Sequence, residues 1–127
     1  MLGLTFKPGT DDLREAPSLV IIPILLDDGA KVNAWDPVGA TNFKKAMPNE
    51  AIVYFQTIEE AIRDADLCFI LTNWQDILSF DITKFKALMK NPIVLDGRNC
   101  FRPSDFKNTG ITYASIGRQS VDEGIEK

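Results

Sequence analysis

Six short apolar runs, at residues 2–6, 30–35, 52–55, 67–71, 93–96 and 111–116, recur along this chain. Most are separated by stretches of helical length or helical spacing. Runs of this length read as buried strands. Strands joined through helices must lie parallel, because a parallel pair needs a crossover. Helices are predicted at 17–28, 41–46, 57–65 and 82–90. The first of these is apolar enough to pass for a strand, but Pro17 at its start and Gly29 beyond its end mark a helix. It carries no charge over residues 18–26, which predicts burial on more than one side, against another domain or subunit. Pro23 within it predicts a kink. Thr57 and Glu60 have capping-box spacing. The expected fold is α/β: a doubly wound parallel sheet, a Rossmann-like three-layer sandwich of about six strands in the order 3-2-1-4-5-6.

In such a sheet ligands bind at the carboxyl edge of the strands. That edge would bring together Phe6 and Lys7, Asp36, residues 72–74 and residues 97–99. The turn after the first strand is crowded with charge, holding Lys7, Asp11, Asp12, Arg14 and Glu15. The net charge of −4 argues against a general nucleic-acid or anionic-membrane surface, so any anion site must be a local cluster of cations. Lys7, Arg14 and Arg98 form such a cluster and suit a phosphate-bearing ligand. The competing reading pairs them with Asp11, Asp12 and Glu15, evenly balanced for Arg14. Gly3 and Gly9 do not make a G-x-G-x-x-G dinucleotide fingerprint. Asp36, where a ribose-binding acid would sit, reads instead as a turn-forming or capping group. Phe6 and Trp74 are placed either to stack on a base or to pack in the core.

A phosphoacceptor receiver domain is excluded, since its third strand should end in Asp and here the chain reads Tyr54-Phe55-Gln56. Cys68 reads as core. Cys100 is a candidate nucleophile without a base, for the chain has no His. No metal site is expected. There is no apolar stretch long enough to span a membrane and no signal peptide, and free thiols suit a reducing cytoplasm. Residues 1–118 are expected to form the domain, and residues 119–127 a frayed polar tail. The chain starts inside its first expected strand, as a fragment of something longer would.

Gly3-Leu4-Thr5-Phe6-Lys7-Pro8 with Thr10-Asp11-Asp12-Leu13-Arg14-Glu15-Ala16-Pro17 closely resembles the carboxy-terminal, UDP-binding domain of UDP-glucose 6-dehydrogenases and their relatives, the UDP-glucose/GDP-mannose dehydrogenase family. Ala34-Trp35-Asp36-Pro37, Leu71-Thr72-Asn73-Trp74, Asp96-Gly97-Arg98-Asn99 and Ile116-Gly117-Arg118 extend the resemblance, in order, over nearly the whole chain. It implies an enzyme that oxidises the C6 hydroxyl of a UDP-sugar to a carboxylate with two NAD. It implies that Phe6, Lys7 and Arg98 contact the substrate, and that Arg14 reaches an NAD bound mainly by an amino-terminal domain. The catalytic residues, the dinucleotide fingerprint and a dimerising middle segment would lie in parts this chain does not contain. The full enzyme is then a homo-oligomer and the isolated chain is inactive. UDP-glucose is the expected substrate. A UDP-N-acetylhexosamine or GDP-mannose dehydrogenase domain, and a free-standing nucleotide-binding regulatory module, are the alternatives.

Overall fold

The structure, a computed structural model, describes residues 1–124. Its elements run α1 (Ser18–Asp27), β1 (Val32–Ala34), α2 (Ala40–Ala46), β2 (Ile52–Tyr54), α3 (Ile58–Ile62), β3 (Cys68–Ile70), α4 (Gln75–Leu78), α5 (Thr83–Leu88), β4 (Ile93–Asp96), a 3-10 turn (Pro103–Phe106) and β5 (Thr112–Ser115). Every strand pair is parallel: β1 with β2, and β4 between β3 and β5. The expected α/β class with helical crossovers is what the chain forms.

Five strands in two ladders stand where about six in one sheet were expected. The difference lies in residues 2–6. Only Leu2 bridges, in parallel, to Trp35 on one side and Ile70 on the other. Leu2 N–H donates to Phe69 O at 2.8 Å, and Gly3 N–H to Trp35 O at 2.8 Å, so this short segment joins the two ladders. Gly3 then adopts φ +90°, which ends the extended run. The next two amides, of Leu4 and Thr5, turn to the Asp36 carboxylate instead of a neighbouring strand.

Side chains alternate across the strands and feed two cores. Cys68, Ile70, Val94 and Tyr113 pack with Ile62, Ile77 and Phe85 from the later helices. On the other face Val32, Ala34, Ile52 and Leu71 pack with Ile22 of α1 and Phe43 of α2. Helices therefore cover both faces. Among the aromatics, Phe106 stacks on Tyr113 at 4.1 Å between ring centres.

α1 buries Ile22 and leaves Val20 65% and Ile24 58% exposed, so within the described residues it is covered on one side. Three local expectations are corrected. No helix is predicted between residues 65 and 82, yet Gln75 to Leu78 wind into α4. The tail does not fray over residues 121–124: Val121 forms an antiparallel bridge to Tyr113, and the Glu123 carboxylate accepts from the N–H groups of Asn108 and Gly110 at 2.9 and 3.0 Å. Residues 125–127 of that expected tail lie outside the described residues. Thr57 caps α3 as its spacing predicts, accepting from Glu60 N–H at 3.2 Å, but the helix ends at Ile62 rather than near residue 65.

Candidate functional site

At the carboxyl edge the first segment meets the fourth and fifth expected strands. Phe6 and Lys7 follow Thr5, and Arg98 follows β4 by two residues. The Arg98 guanidinium crosses the gap between them. Its Nε donates to Leu71 O at 2.9 Å, and one Nη2 hydrogen reaches Phe6 O. Thr72 adds a second tie, its hydroxyl donating to Thr5 O at 2.6 Å. Three of the sequence-predicted residues, Phe6, Lys7 and Arg98, thus lie together. A guanidinium has five N–H donors. Two are spent on carbonyls, which leaves three for a ligand while the plane of the group is held. Lys7 is exposed and makes no ion pair among the described residues. Phe6 is 44% exposed beside it.

Arg14 is placed differently. It is 88% exposed along its side chain and grips Asp12 with a forked contact, Nη2 to Oδ2 at 2.7 Å and Nε to both oxygens at 3.1 Å. Those hydrogen bonds hold the Asp12 carboxyl down at about 2. The fork is open to solvent and stays exchangeable for another anion.

The loops carrying these cations hang from two buried carboxylates that the sequence did not single out for this work. Asp36 accepts from Leu4 N–H at 2.8 Å, Thr5 N–H at 3.3 Å and the Trp74 indole N–H at 3.1 Å through Oδ2. Its Oδ1 accepts from the N–H groups of Val38 and Gly39 at 2.9 and 2.6 Å. The capping reading of Asp36 covers the last two contacts and misses the first three. Trp74 is correspondingly a core residue and not a base-stacking one. Asp96 accepts from Arg98 N–H at 3.0 Å, Cys100 N–H at 2.7 Å, Phe101 N–H at 3.2 Å and the Tyr113 hydroxyl at 2.6 Å. Asn99, at φ +52°, continues this loop and exchanges two hydrogen bonds with the backbone of Ile116. Arg118 closes the arrangement, its Nη2 donating to the Tyr113 hydroxyl at 2.9 Å.

Cys100 has an acidic neighbour and no base beside it. Burial, and then the Asp96 carboxylate beside it, push its thiol up to about 12, so it stays protonated at ordinary pH. Cys68 is buried and pushed up to about 11 by desolvation. Among the described residues no group of three or more His, Cys, Asp or Glu side chains is arranged to hold a metal. No helix among them is long and apolar enough to cross a membrane.

The turn after the first segment lacks the features of a dinucleotide cradle. Helix α1 opens on Pro17 without a glycine cradle, and the Ser18 hydroxyl at its first turn is already donated to Leu4 O at 2.6 Å. Elsewhere on this edge, the hollow bounded by Gln56, Thr57, Glu59, Asp76, Asp81 and Lys84 sets three acids against one lysine, which disfavours phosphate. Beside Phe6, by contrast, the edge carries two cations, Lys7 and Arg98.

The UDP-glucose/GDP-mannose dehydrogenase family model for the UDP binding domain matches residues 1–103. The UDP-glucose 6-dehydrogenase YwqF of Bacillus subtilis is 43% identical over 121 residues, 95% of this chain and 27% of its own length. The UDP-glucose 6-dehydrogenase of Rhizobium meliloti is 39% identical over 118 residues, 93% of this chain and 26% of its own. Among solved structures, the NDP-N-acetyl-D-galactosaminuronic acid dehydrogenase of Methanosarcina mazei superposes with a TM-score of 0.75 at 31% identity, covering 94% of this chain and 24% of that one. The UDP-D-ManNAc dehydrogenase of Pyrococcus horikoshii gives 0.72 at 28% identity, covering 92% and 24%. The chain therefore spans about a quarter of the length of these relatives.

Proposed function

Since the chain belongs to the UDP-glucose/GDP-mannose dehydrogenase family, where it matches the UDP-binding domain, we propose that it holds the nucleotide end of a UDP-sugar on the Phe6–Lys7–Arg98 edge. Lys7 supplies a point charge to the diphosphate, and Arg98 a planar fork. Phe6 offers an exposed ring beside them. One observation carries the reading. The Arg98 guanidinium is fixed between Leu71 O and the carbonyl of Phe6, 92 positions away, so Lys7 and Arg98 present cations on one edge.

The substrate we assign is UDP-glucose, because both sequence relatives described above are UDP-glucose 6-dehydrogenases. The structural neighbours on N-acetylated sugars share the fold at lower identity. In the longer enzyme the C6 hydroxyl would be oxidised to give UDP-glucuronate, with NAD as the oxidant. NAD would be bound by an amino-terminal domain, with Arg14 reaching towards it, and a middle segment would hold the subunits of a homo-oligomer together. This chain binds and orients the substrate and performs no chemical step, so by itself it reduces no NAD. Its free thiols, Cys68 and Cys100, fit a cytoplasmic setting.

Calorimetric titration of UDP into the chain tests the assignment. A hydrogen bond to a charged group is worth roughly 1.5–3 kcal/mol, so Lys7→Ala or Arg98→Ala should weaken UDP about 10- to 150-fold. Folded variants that both bind like the parent would remove the site from this edge.

A further inference from the structure

Asp36 stands two residues beyond β1 and is buried, yet its carboxylate is surrounded by donors from three separate stretches. The first is the amides of Leu4 and Thr5, ahead of the cation-bearing loop. The second is the turn into α2, through Val38 and Gly39. The third is Trp74, in the loop after β3. Five N–H groups meet two oxygens. An ionised carboxylate is acceptor-only and has about four lone-pair sites for them, whereas a carboxamide has a single oxygen.

The arrangement does more than satisfy a buried charge. Gly3 turns the chain so that Leu4 and Thr5 face Asp36 rather than continuing a strand. Thr5 then places its hydroxyl on Lys7 O at 3.0 Å, so the anchored residue in turn fixes the backbone of the candidate ligand residue. From the other side Thr72, two residues before Trp74, holds Thr5 O. Nothing in this set touches the proposed ligand position. Its effect on binding passes through the backbone that follows Thr5, which carries Lys7.

We propose that Asp36 is a positioning residue for the nucleotide loop: its carboxylate sets the Leu4–Thr5 backbone and so aims Lys7 at the diphosphate beside Arg98. This rests on the reading of the Phe6–Lys7–Arg98 edge as the UDP site. The Asp36→Asn change keeps the shape but removes acceptors, whichever way the amide turns. Loosening the loop disperses Lys7 over many directions, and that lost orientation appears as lost affinity.

The test combines UDP calorimetry with amide hydrogen exchange on the parent, Asp36→Asn, Lys7→Ala and the double variant. Asp36→Asn should lower UDP affinity about 10- to 100-fold. It should speed exchange of the Leu4 and Thr5 amides about 10-fold or more while β3, β4 and β5 keep their protection. In that background Lys7→Ala should cost less than about 3-fold, because a residue already misdirected has little left to lose. A purely structural Asp36 would leave the two effects multiplicative, and that result overturns the proposal. Should Asp36→Asn not fold, Trp74→Phe removes a single donor and should weaken UDP about 3-fold, an effect that should vanish when Lys7→Ala is already in place. Unchanged affinity and unchanged Leu4 and Thr5 exchange in whichever variant folds also overturns it. A parent chain that binds no UDP overturns the functional reading and the positioning role together. A parent that binds beside an Asp36→Asn variant of equal affinity overturns the positioning role alone.

Discussion

Asp36 and Asp96 are both buried carboxylates at the carboxyl ends of parallel strands, and each gathers four or more donors, but they gather different kinds. Asp36 takes backbone amides and an indole from stretches up to 38 residues away. Asp96 takes three amides from the five residues that follow it, and adds the Tyr113 hydroxyl from β5. The first carboxylate joins separate loops into one edge. The second shapes a single loop and ties it to the next strand. In physical terms, Asp36 decides where the Lys7 loop sits relative to the rest of the edge, and Asp96 decides how Arg98 leaves its own strand.

The largest expected effect is on Asp96. Asp96→Ala leaves three amides without their acceptor and the Tyr113 phenol with Phe101 O alone, in a region where Phe101 and Tyr113 admit little water. Unsatisfied buried donors cost roughly 1–3 kcal/mol each, and partial rehydration near Cys100 should bring the total to about 4 kcal/mol. Denaturant unfolding measures it. The comparison is sharpened if the Leu4 and Thr5 amides keep their exchange protection in that variant. If they lose it, the two carboxylates are one network and the contrast fails.

Much of this was legible in the sequence, and what was not shares one cause. Alternating apolar runs gave away the α/β class, and the convergence of strand ends put Phe6, Lys7 and Arg98 on one edge. Those signals are local or periodic. The break at Gly3 was hidden because a glycine in an apolar run carries no mark of its φ; only the neighbouring Thr72, pressed against it, explains it. Asp36 was visible as an Asp-Pro turn, which accounts for Val38 and Gly39. Its partners 31 to 38 residues away follow from tertiary placement that no short motif encodes. For Arg14 the sequence leaves pairing with Asp11, Asp12 or Glu15 evenly balanced against a ligand role, and in the structure it pairs with Asp12.

A second, smaller effect attacks the Asp36 side. At Gly3 an added Cβ would lie 2.5 Å from Thr72 Cβ and 2.7 Å from its backbone nitrogen, at φ +90°. Neither the backbone atom nor a buried threonine can move aside cheaply. The left-handed conformation costs a non-glycine residue roughly 1–2 kcal/mol and overpacking adds roughly 1–3, so Gly3→Ala should cost about 3 kcal/mol. The damage should fall on the Thr72–Thr5 hydrogen bond and the Asp36 donors, and leave the Tyr113 hydroxyl on Asp96. Nuclear magnetic resonance of the Trp74 indole N–H and the Tyr113 ring can follow the two sides separately. A Gly3→Ala variant with native stability would mean that the backbone reversal at residue 3 is not what turns Leu4 and Thr5 onto Asp36.

The smallest effect uses pH alone. The donors to Asp36 are amides and an indole, which do not titrate in water, whereas Asp96 is surrounded by two acids. Burial first, then the carboxylate itself, raises the Tyr113 phenol above its usual value of 10 and pushes the Cys100 thiol from 9.0 up to about 12. The folded chain therefore holds these protons more tightly than the unfolded chain does. For an acid raised in this way, the contribution to stability is fully present below the unfolded pKa and is lost as pH climbs through the folded one. The window opens near pH 9 and closes at or above pH 12. Cys68, also pushed up to about 11, loses its contribution over the same range and is common to every variant compared. Denaturant unfolding at pH 8, 9.5 and 11 should show stability falling with pH in the parent, and falling less in a Tyr113→Phe, Cys100→Ser double variant. Through that range the Trp74 indole N–H should stay hydrogen-bonded to Asp36 for as long as the chain is folded. Equal slopes in parent and double variant would show that the protons around Asp96 carry no stability. Early loss of the Trp74 signal would show that the Asp36 assembly depends on the alkaline-sensitive one.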